Sequence, residues 1–370
     1  MQHIDIPSDE RMRQLAAHRH PGSVSIYLQT GVGPDDGQRA RSDLEGARDR
    51  AAEILTRLAP EEADAVTAAL DGLAEDTRFF EEVSRSLAVL VSGSHIETYR
   101  VANHLPPAVT VSDRFRLTPL LRAATVPGDA LVLALSANAV RLISVAADGS
   151  AAEVPVPGMP HDVAGYVGSE SVRERSYSVK RVGAEGEKVR LTQFARAVES
   201  ALRPALTGAR RPLILAATEP LAGIYRGVNS YHGLARDAIE GSPDDLSPDE
   251  LASGARAVLE ALHAARLARL RADYDAGASA GRALSDPSDV ARAAAVGAID
   301  TLLADVDSRL PGTVDEAGRV QFDDASDGTG PDVVDDIVRM ALITGARVLA
   351  VRAPDLPTPQ PVAAILRYRL

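Results

Sequence analysis

The stretch that decides the fold of the C-terminal part of the chain is DVARAAAVGAIDTLL, residues 289–303. Apolar residues recur at helical spacing up to Gly297, and Ile299 to Leu303 then have the composition of a strand. The stretch therefore predicts a helix that is followed directly by a strand. A further helix is predicted over residues 333–345, with strands over 348–351 and 362–368. Alternating helices and strands are typical of an α/β layer fold.

Upstream of this stretch, the same periodicities predict two further groups of elements. The first group comprises helices over 8–18, 38–58 and 61–74 and strands over 23–28, 87–91, 95–101 and 108–111. The second group comprises strands over 130–135, 140–146, 151–156 and 212–217 and helices over 188–206 and 248–273. A long irregular segment precedes the helix at 188, and such a segment in a compact domain is usually functional.

The length of 370 residues predicts two or three domains. We expect a mixed α/β chain of three domains. They are an N-terminal α/β domain over 1–125, a middle domain over 126–273 whose loop over 157–187 projects from it, and an acidic C-terminal α/β/α domain over 274–370.

Composition excludes several classes of protein. Hydrophobic residues make up 45% and charged residues 25%, which is ordinary for a globular chain. Without cysteine, the chain has no disulfide, no thiolate nucleophile and no cysteine-ligated zinc. No apolar run is long enough to span a bilayer, and the first ten residues do not resemble a signal peptide. We therefore expect a cytoplasmic protein without a membrane partner.

The net charge of −12 is distributed unevenly. Residues 275–339 contain 14 acidic residues against 5 arginines, so this window holds most of the negative charge. A shift of this size indicates a separate domain with its own partner, such as a basic protein. The acidity also excludes a uniformly basic surface that coats nucleic acid.

Three segments carry a resemblance to a known family. Residues 289–303 and the final AILRY, residues 364–368, resemble the third domain of archaeo-eukaryotic class I release factors and Pelota. Residues 225–234, YRGVNSYHGL, resemble the end of the middle domain in bacterial relatives of these factors. The resemblance implies an RNase H-like middle domain, a tRNA-shaped body and a ribosome partner. It also implies a GTPase as a partner of the acidic C-terminal domain.

The sequence departs from the family at the two motifs that carry its chemistry. Peptide release in the family uses a Gly-Gly-Gln loop, and this chain contains no Gly-Gly dipeptide. Stop-codon reading uses Asn-Ile-Lys-Ser, but the lysines here are Lys180 and Lys188, outside the N-terminal domain. Neither activity carries over by these motifs.

The loop and helix start over 168–190 occupy the place where the release loop would project. Cations and a tyrosine there suit contacts with RNA phosphates and unpaired bases. A solvated loop of mixed charge is the alternative. The candidate RNA-binding residues are Arg173, Arg175, Tyr177, Lys180, Arg181, Lys188 and Arg190.

A second candidate group follows a buried strand, where α/β folds commonly place function. A structural role, in which Arg226 and Asn229 satisfy loop backbone groups, is the alternative to a ligand contact. The group consists of Tyr225, Arg226, Asn229, Tyr231 and His232.

Three functional hypotheses follow from these residues. The first is a ribosome-associated translation factor for rescue, quality control or hibernation, which binds in a tRNA-like pose without catalysis. The second is a hydrolase of peptidyl-tRNA or RNA, with Gln193, His161 or His232 positioning water. The third is a stress-related scaffold whose acidic domain recruits a basic protein. No metal site and no cofactor are expected, since no ligand spacing or phosphate-binding glycine loop is present in the sequence.

Overall fold

A computed structural model of the chain describes residues 6–31, 36–81, 84–101, 103–125, 129–146, 149–166, 184–207, 211–305, 307–323 and 331–370. It divides the chain into two compact units. The first unit combines residues 1–126 with 266–370, and the second consists of residues 127–265. The mixed α/β fold class is confirmed, whereas the division into three domains stays a prediction.

The N-terminal part of the first unit is an antiparallel sheet with helices. The sheet has the order β3-β2-β1-β4. Alternate residues of β1 enter different cores, since Val24 and Ile26 pack against α2 and α3 while Tyr27 packs with residues of the C-terminal part. The elements are α1 (Asp9–Ala17), β1 (Ser23–Gln29), α2 (Asp36–Leu58), α3 (Ala63–Glu75), β2 (Ser86–Ser92), β3 (His95–Val101), β4 (Ala108–Ser112) and α4 (Thr118–Thr125).

The C-terminal part of this unit is a second sheet with the order β10-β15-β11-β14. Strands β11 and β14 are parallel, and the other pairs are antiparallel. Asp286 caps the helix before β11, and Gly297 follows that helix at a φ of +68°, as the quoted stretch predicts. The elements are β10 (Ala283–Leu284), α8 (Pro287–Ala295), β11 (Ile299–Asp305), β12 (Gly312–Val314), β13 (Val320–Phe322), α9 (Val333–Ile343), β14 (Arg347–Val351) and β15 (Val362–Leu366).

The second unit is built on a five-stranded sheet of order β7-β6-β5-β8-β9. Strands β5, β8 and β9 are parallel, while β6 is antiparallel to both of its neighbours. This strand order is that of the RNase H-like fold, so the predicted topology is confirmed. The elements are β5 (Ala130–Leu135), β6 (Val140–Val145), β7 (Ala151–Glu153), α5 (Ala184–Leu206), β8 (Leu213–Ala216), α6 (Leu221–Val228), β9 (Leu234–Ile239) and α7 (Pro248–Ser279), which continues into the first unit.

Helices cover both faces of the second unit's sheet. Leu131, Leu133 and Leu135 of β5 pack on the side of α5 and α6, whereas Val132 and Ala134 pack on the side of α7. A central strand buried on both faces explains why residues 130–135 are apolar without interruption.

Several elements were not predicted from the sequence. They are α4, α6, β9, β10 and the β12–β13 hairpin. Helix α6 is short, lacks a capping side chain at Pro220 and contains Gly223 and Gly227, so its helical signal is weak. Within the part of the chain that the structure describes, no helix has the length and apolar character needed to cross a membrane.

Candidate nucleic-acid interface

The structure places two of the seven predicted RNA-binding residues. Lys188 and Arg190 are exposed near the start of α5. The other five lie outside the described residues, namely Arg173, Arg175, Tyr177, Lys180 and Arg181. The proposal that the loop binds RNA therefore rests on the sequence.

Lys188 and Arg190 do not share a surface. Two residues advance about 200° around a helix, so the two cations lie on opposite sides of α5. Lys188 instead aligns with Thr192 and Arg196, which follow at intervals of four residues. The opposite edge of α5 carries Arg190.

The edge of α5 that carries Lys188 forms one wall of a surface groove of about 830 Å³. Its other wall is α6, and its lining is apolar apart from a polar and charged rim. Gly227 faces open space, since no atom lies within 4 Å of the point where a Cβ would stand, so the backbone of α6 is accessible there. The lining residues are Glu187, Lys188, Leu191, Thr192, Arg196, Pro220, Gly223, Ile224, Gly227 and Val228.

The groove combines two features that suit an RNA strand. Lys188 and Arg196 place two cations along one rim, against the single acid Glu187. The apolar lining offers contact area to a base or a ribose. The sequence alone did not identify Arg196 or the residues of α6 that line the groove. The four-residue spacing of Lys188, Thr192 and Arg196 does indicate that these three side chains share one face of α5.

The second candidate group lies at the end of α6 and in the turn that follows it. Tyr225 is fully buried. Arg226 donates a hydrogen bond to the Ala235 carbonyl at 2.9 Å, and the Asn229 amide donates to the Tyr231 carbonyl at 2.8 Å. The Tyr231 hydroxyl donates to the Arg211 carbonyl at 2.6 Å. These contacts join α6, the turn and the strands, which is the structural role that the sequence left open.

His232 is the exposed member of this group. Its ring lies against that of Tyr231, with centroids 5.0 Å apart. Neither His232 nor the other side chains of the group line the α5–α6 groove.

Glu199 ties α5 to the same turn. The carboxylate is buried and accepts hydrogen bonds from Ser230 and from Arg203, the latter at 2.8 Å. Burial alone would raise the pKa of Glu199, but these hydrogen bonds outweigh it and the pKa lies below its ordinary value. The charge of Glu199 therefore stabilises the position of α5 relative to the turn.

We expect opposite changes in the free energy of unfolding when the hydroxyl of Tyr225 and the hydroxyl of Tyr231 are removed. The buried Tyr225 hydroxyl has no hydrogen-bond partner in the structure, and burial followed by the charge of Glu199 raises its pKa. Tyr225→Phe is expected to increase the free energy of unfolding of the second unit by about 1 kcal/mol, because it removes an unpaired polar group. Tyr231→Phe is expected to decrease it by about 1 kcal/mol, because a hydrogen bond is lost.

Urea denaturation of both variants measures this pair. Equal destabilisation by the two changes would mean that the Tyr225 hydroxyl is satisfied, and would contradict the assignment.

The three residues proposed to position water in a hydrolase are separated from the groove. Gln193 and His232 are exposed. The side chain of His161 is 84% exposed and its Nδ1 lies 3.1 Å from Asp162. None of the three lines the groove, and the described residues contain no cluster of acidic and histidine side chains that could hold a metal ion.

Comparison with known proteins identifies relatives of the second unit. Residues 127–265 match the model of bacterial archaeo-eukaryotic release factor family 11. The match covers the whole of the second unit. The resemblance to bacterial relatives of the archaeo-eukaryotic release factors is thereby confirmed. Among curated proteins, no sequence matches this chain.

Solved structures similar to the chain include archaeal and yeast translation factors. The archaeal termination factor aRF1 is 14% identical with a TM-score of 0.26, and the similarity covers 98% of this chain and 99% of that chain. Dom34 of S. cerevisiae is 13% identical with a TM-score of 0.40, covering 77% and 80%. Pelota of Archaeoglobus fulgidus is 11% identical with a TM-score of 0.33, covering 99% and 94%.

Proposed function

We propose that the protein is a ribosome-associated translation factor of the release factor and Pelota type. The observation that carries the proposal is the family match over residues 127–265, which coincides with a complete RNase H-like unit. The matching region is therefore a folded module and not an isolated motif. Its site of action would be the cytoplasm, where ribosomes are.

The proposed mode of action is binding without peptide release. The chain lacks the Gly-Gly dipeptide of the release loop, so the factor would occupy a ribosome in a tRNA-like pose and serve rescue, quality control or hibernation. Delivery by a GTPase belongs to the same proposal, by analogy with yeast Dom34, which interacts with Hbs1.

The α5–α6 groove is the proposed rRNA contact of the second unit. Lys188 and Arg196 supply the cations, and the segment with Arg173, Arg175, Tyr177, Lys180 and Arg181 precedes α5 directly in the sequence. Cations of both elements would meet phosphates of the same rRNA region.

Sedimentation with 70S ribosomes tests the proposal. The wild-type chain is expected to pellet with ribosomes at low and moderate salt. The double variant Lys188→Glu with Arg196→Glu is expected to bind about tenfold more weakly, because two phosphate contacts become repulsions. Wild-type protein that stays in the supernatant at every salt concentration would refute the function.

Two control variants locate the contact. Arg236→Glu changes an exposed cation of β9 that does not line the groove, and it is expected to leave ribosome binding unchanged. Arg190→Glu changes the opposite side of α5. A loss with Arg190→Glu but not with the groove variant would transfer the contact to that side of the helix.

A further inference from the structure

The first unit contains a basic cleft that the sequence did not predict. It has a volume of about 550 Å³ and lies between the C-terminal half of α2, the residues that lead into β4 and the segment after β11. Four arginines line it, from three separate parts of the chain, against the two acids Glu53 and Asp307. The arginines are Arg50, Arg57, Arg116 and Arg309.

Helix periodicity explains why α2 presents cations to this cleft. Arg50, Ile54 and Arg57 follow at helical spacing on one face. The core face of the same helix carries Leu44 and Leu55, which are fully buried. Arg50 and Arg57 are therefore held at the surface by the burial of the neighbouring face, and both side chains are exposed.

The acids of the first unit neutralise these arginines only in part. Arg309 is already paired, since its Nε lies 3.8 Å from the buried carboxylate of Asp332. Arg57 reaches Glu53 at 3.8 Å, and both side chains are more than half exposed, so the pair is weak. The Arg50 Nε donates only a long hydrogen bond of 3.4 Å to the Gly46 carbonyl. Asp307 is engaged at 3.6 Å by Arg122, which lies outside the cleft.

Arg116 is the inner cation of the cleft. Its Nε is buried and has no hydrogen-bond partner in the structure. Among the described residues, no carboxylate lies within 4.0 Å of the Arg116 or Arg50 guanidinium. Burial raises the pKa of the nearby Asp332 and Asp335, and the charge of Arg116 acts against that increase. Arg116 also lines a neighbouring cavity that contains Asp332 and Asp335, so its side chain borders both the cleft and these two acids.

We propose that this cleft binds the sugar–phosphate backbone of single-stranded RNA. Guanidinium groups offer planar pairs of donors that match phosphate oxygens. Between the arginines, Ile54, Pro106 and Pro107 provide an apolar wall for ribose and base faces. A local excess of cations in a chain of net charge −12 marks the cleft as an anion site.

The cleft lies in the first unit, and the inference does not depend on the function proposed from the second unit. The experiment therefore uses naked RNA without ribosomes. Fluorescence anisotropy of a fluorescein-labelled 15-nucleotide RNA of mixed sequence is measured with the full-length chain. The NaCl concentration is varied between about 50 and 200 mM, because affinity that depends on phosphate contacts falls strongly over this range.

The double variant Arg50→Gln with Arg57→Gln is expected to weaken RNA binding about tenfold at about 100 mM salt. The slope of the logarithm of the binding constant against the logarithm of the salt concentration should also fall by about 1.4, because each phosphate contact with a single strand contributes about 0.7. The matched control is Arg39→Gln with Arg41→Gln. Both control residues lie on α2 outside the cleft, paired with Asp36 at 3.1 Å and Glu45 at 3.4 Å, and the control is expected to bind like wild type.

Arg116→Gln tests a third arginine of the cleft independently, and its melting temperature is measured to confirm that the variant folds. It is expected to weaken RNA binding as well. Failure of the wild-type chain to bind the RNA at 50 mM salt would overturn the inference. Equal losses in the cleft and control variants would also overturn it, as would displacement of the RNA by low millimolar inorganic phosphate at constant ionic strength, which would indicate a site for a free anion.

Discussion

Replacing Asp335 with alanine is expected to lower the free energy of unfolding of the first unit by about 3–5 kcal/mol, the range for leaving buried charged or polar partners unpaired. The Oδ1 atom of Asp335 accepts three hydrogen bonds, from the Leu117 and Thr118 amides at 2.9 and 2.8 Å and from the Thr118 hydroxyl at 2.5 Å. Asp335 lies on α9, whereas its donors begin α4. The alanine variant would leave all three donors buried without an acceptor.

Asp335 belongs to a network that joins the N-terminal and C-terminal parts of this unit. Its neighbour Asp336 accepts from Arg114 at 2.5 Å and lies 3.6 Å from Arg339. Asp332 caps α9 through the Val334 amide at 3.0 Å. Contacts of three aspartates at the start of α9 therefore fix this helix, which is buried from Val333 to Leu342.

Two further variants separate the hydrogen bonds from the charge. Asp335→Asn keeps an acceptor oxygen in the same place and is expected to cost less than about 1 kcal/mol, since its bonds are retained. Glu316→Ala, at an exposed turn of the same unit, is expected to change nothing measurable. Urea denaturation measures all three. A loss below 1 kcal/mol for Asp335→Ala would show that the donors find another acceptor.

Local periodicity made much of the fold predictable. Residues 289–303 form a helix and a strand within a few residues of the predicted bounds, because the Asp286 cap, the apolar spacing and Gly297 all act within the segment. Helices without such signals were missed, as α6 shows. The RNase H-like topology came from the resemblance, since no local pattern determines which strands become neighbours.

The candidate surfaces were harder to predict because they combine distant segments. The α5–α6 groove needs Arg196 and Gly227, and the basic cleft needs Arg57, Arg116 and Arg309. No sequence spacing connects these residues, which only the tertiary fold brings together.

Net charge did not show which acidic residues of the C-terminal region lie at the surface. The acidity of residues 275–339 was interpreted as a surface for a basic partner, but some of it is internal. Of the 12 acids in that window that the structure describes, four are buried. Two of these acids have partners that are distant in sequence, since Thr118 lies 217 positions from Asp335 and Arg114 lies 222 positions from Asp336. Composition therefore could not distinguish them from surface charge. The four are Asp305, Asp332, Asp335 and Asp336.

The same buried carboxylates predict an unusual dependence of stability on pH. Burial raises the pKa of Asp332, Asp335 and Asp336, while hydrogen bonds and the charges of Arg114, Arg116, Arg309 and Arg339 act against it. A carboxyl whose pKa is higher in the folded state than in the unfolded state binds its proton more tightly when folded. Its contribution to stability is complete below its pKa in the unfolded state, which is about 4, and is lost as the pH rises through its pKa in the folded state.

The surface carboxylates of this unit oppose that trend only in stronger acid. Burial would raise the pKa of Asp113, but ion pairs with Arg114 and Arg19 lower it to about 2. A lowered pKa contributes stability that is present above the unfolded value of about 4 and is lost as the pH falls through the folded value. Between pH 8 and pH 5, the opposing group is His18, because burial lowers its pKa and its contribution to stability is therefore lost as the pH falls.

We expect the buried carboxyls to increase the free energy of unfolding of the first unit as the pH falls, by about 1.4 kcal/mol for each unit by which a folded pKa exceeds its unfolded value. Asp335→Asn removes one titrating group and keeps the acceptor, so its stability should rise less on acidification than that of the wild type. Urea denaturation at pH 8, 7, 6 and 5 measures both profiles, with Glu316→Gln as the exposed control. Parallel profiles for the wild type and Asp335→Asn would show that Asp335 is already ionised in the folded state at pH 5, held by its three hydrogen bonds in spite of burial.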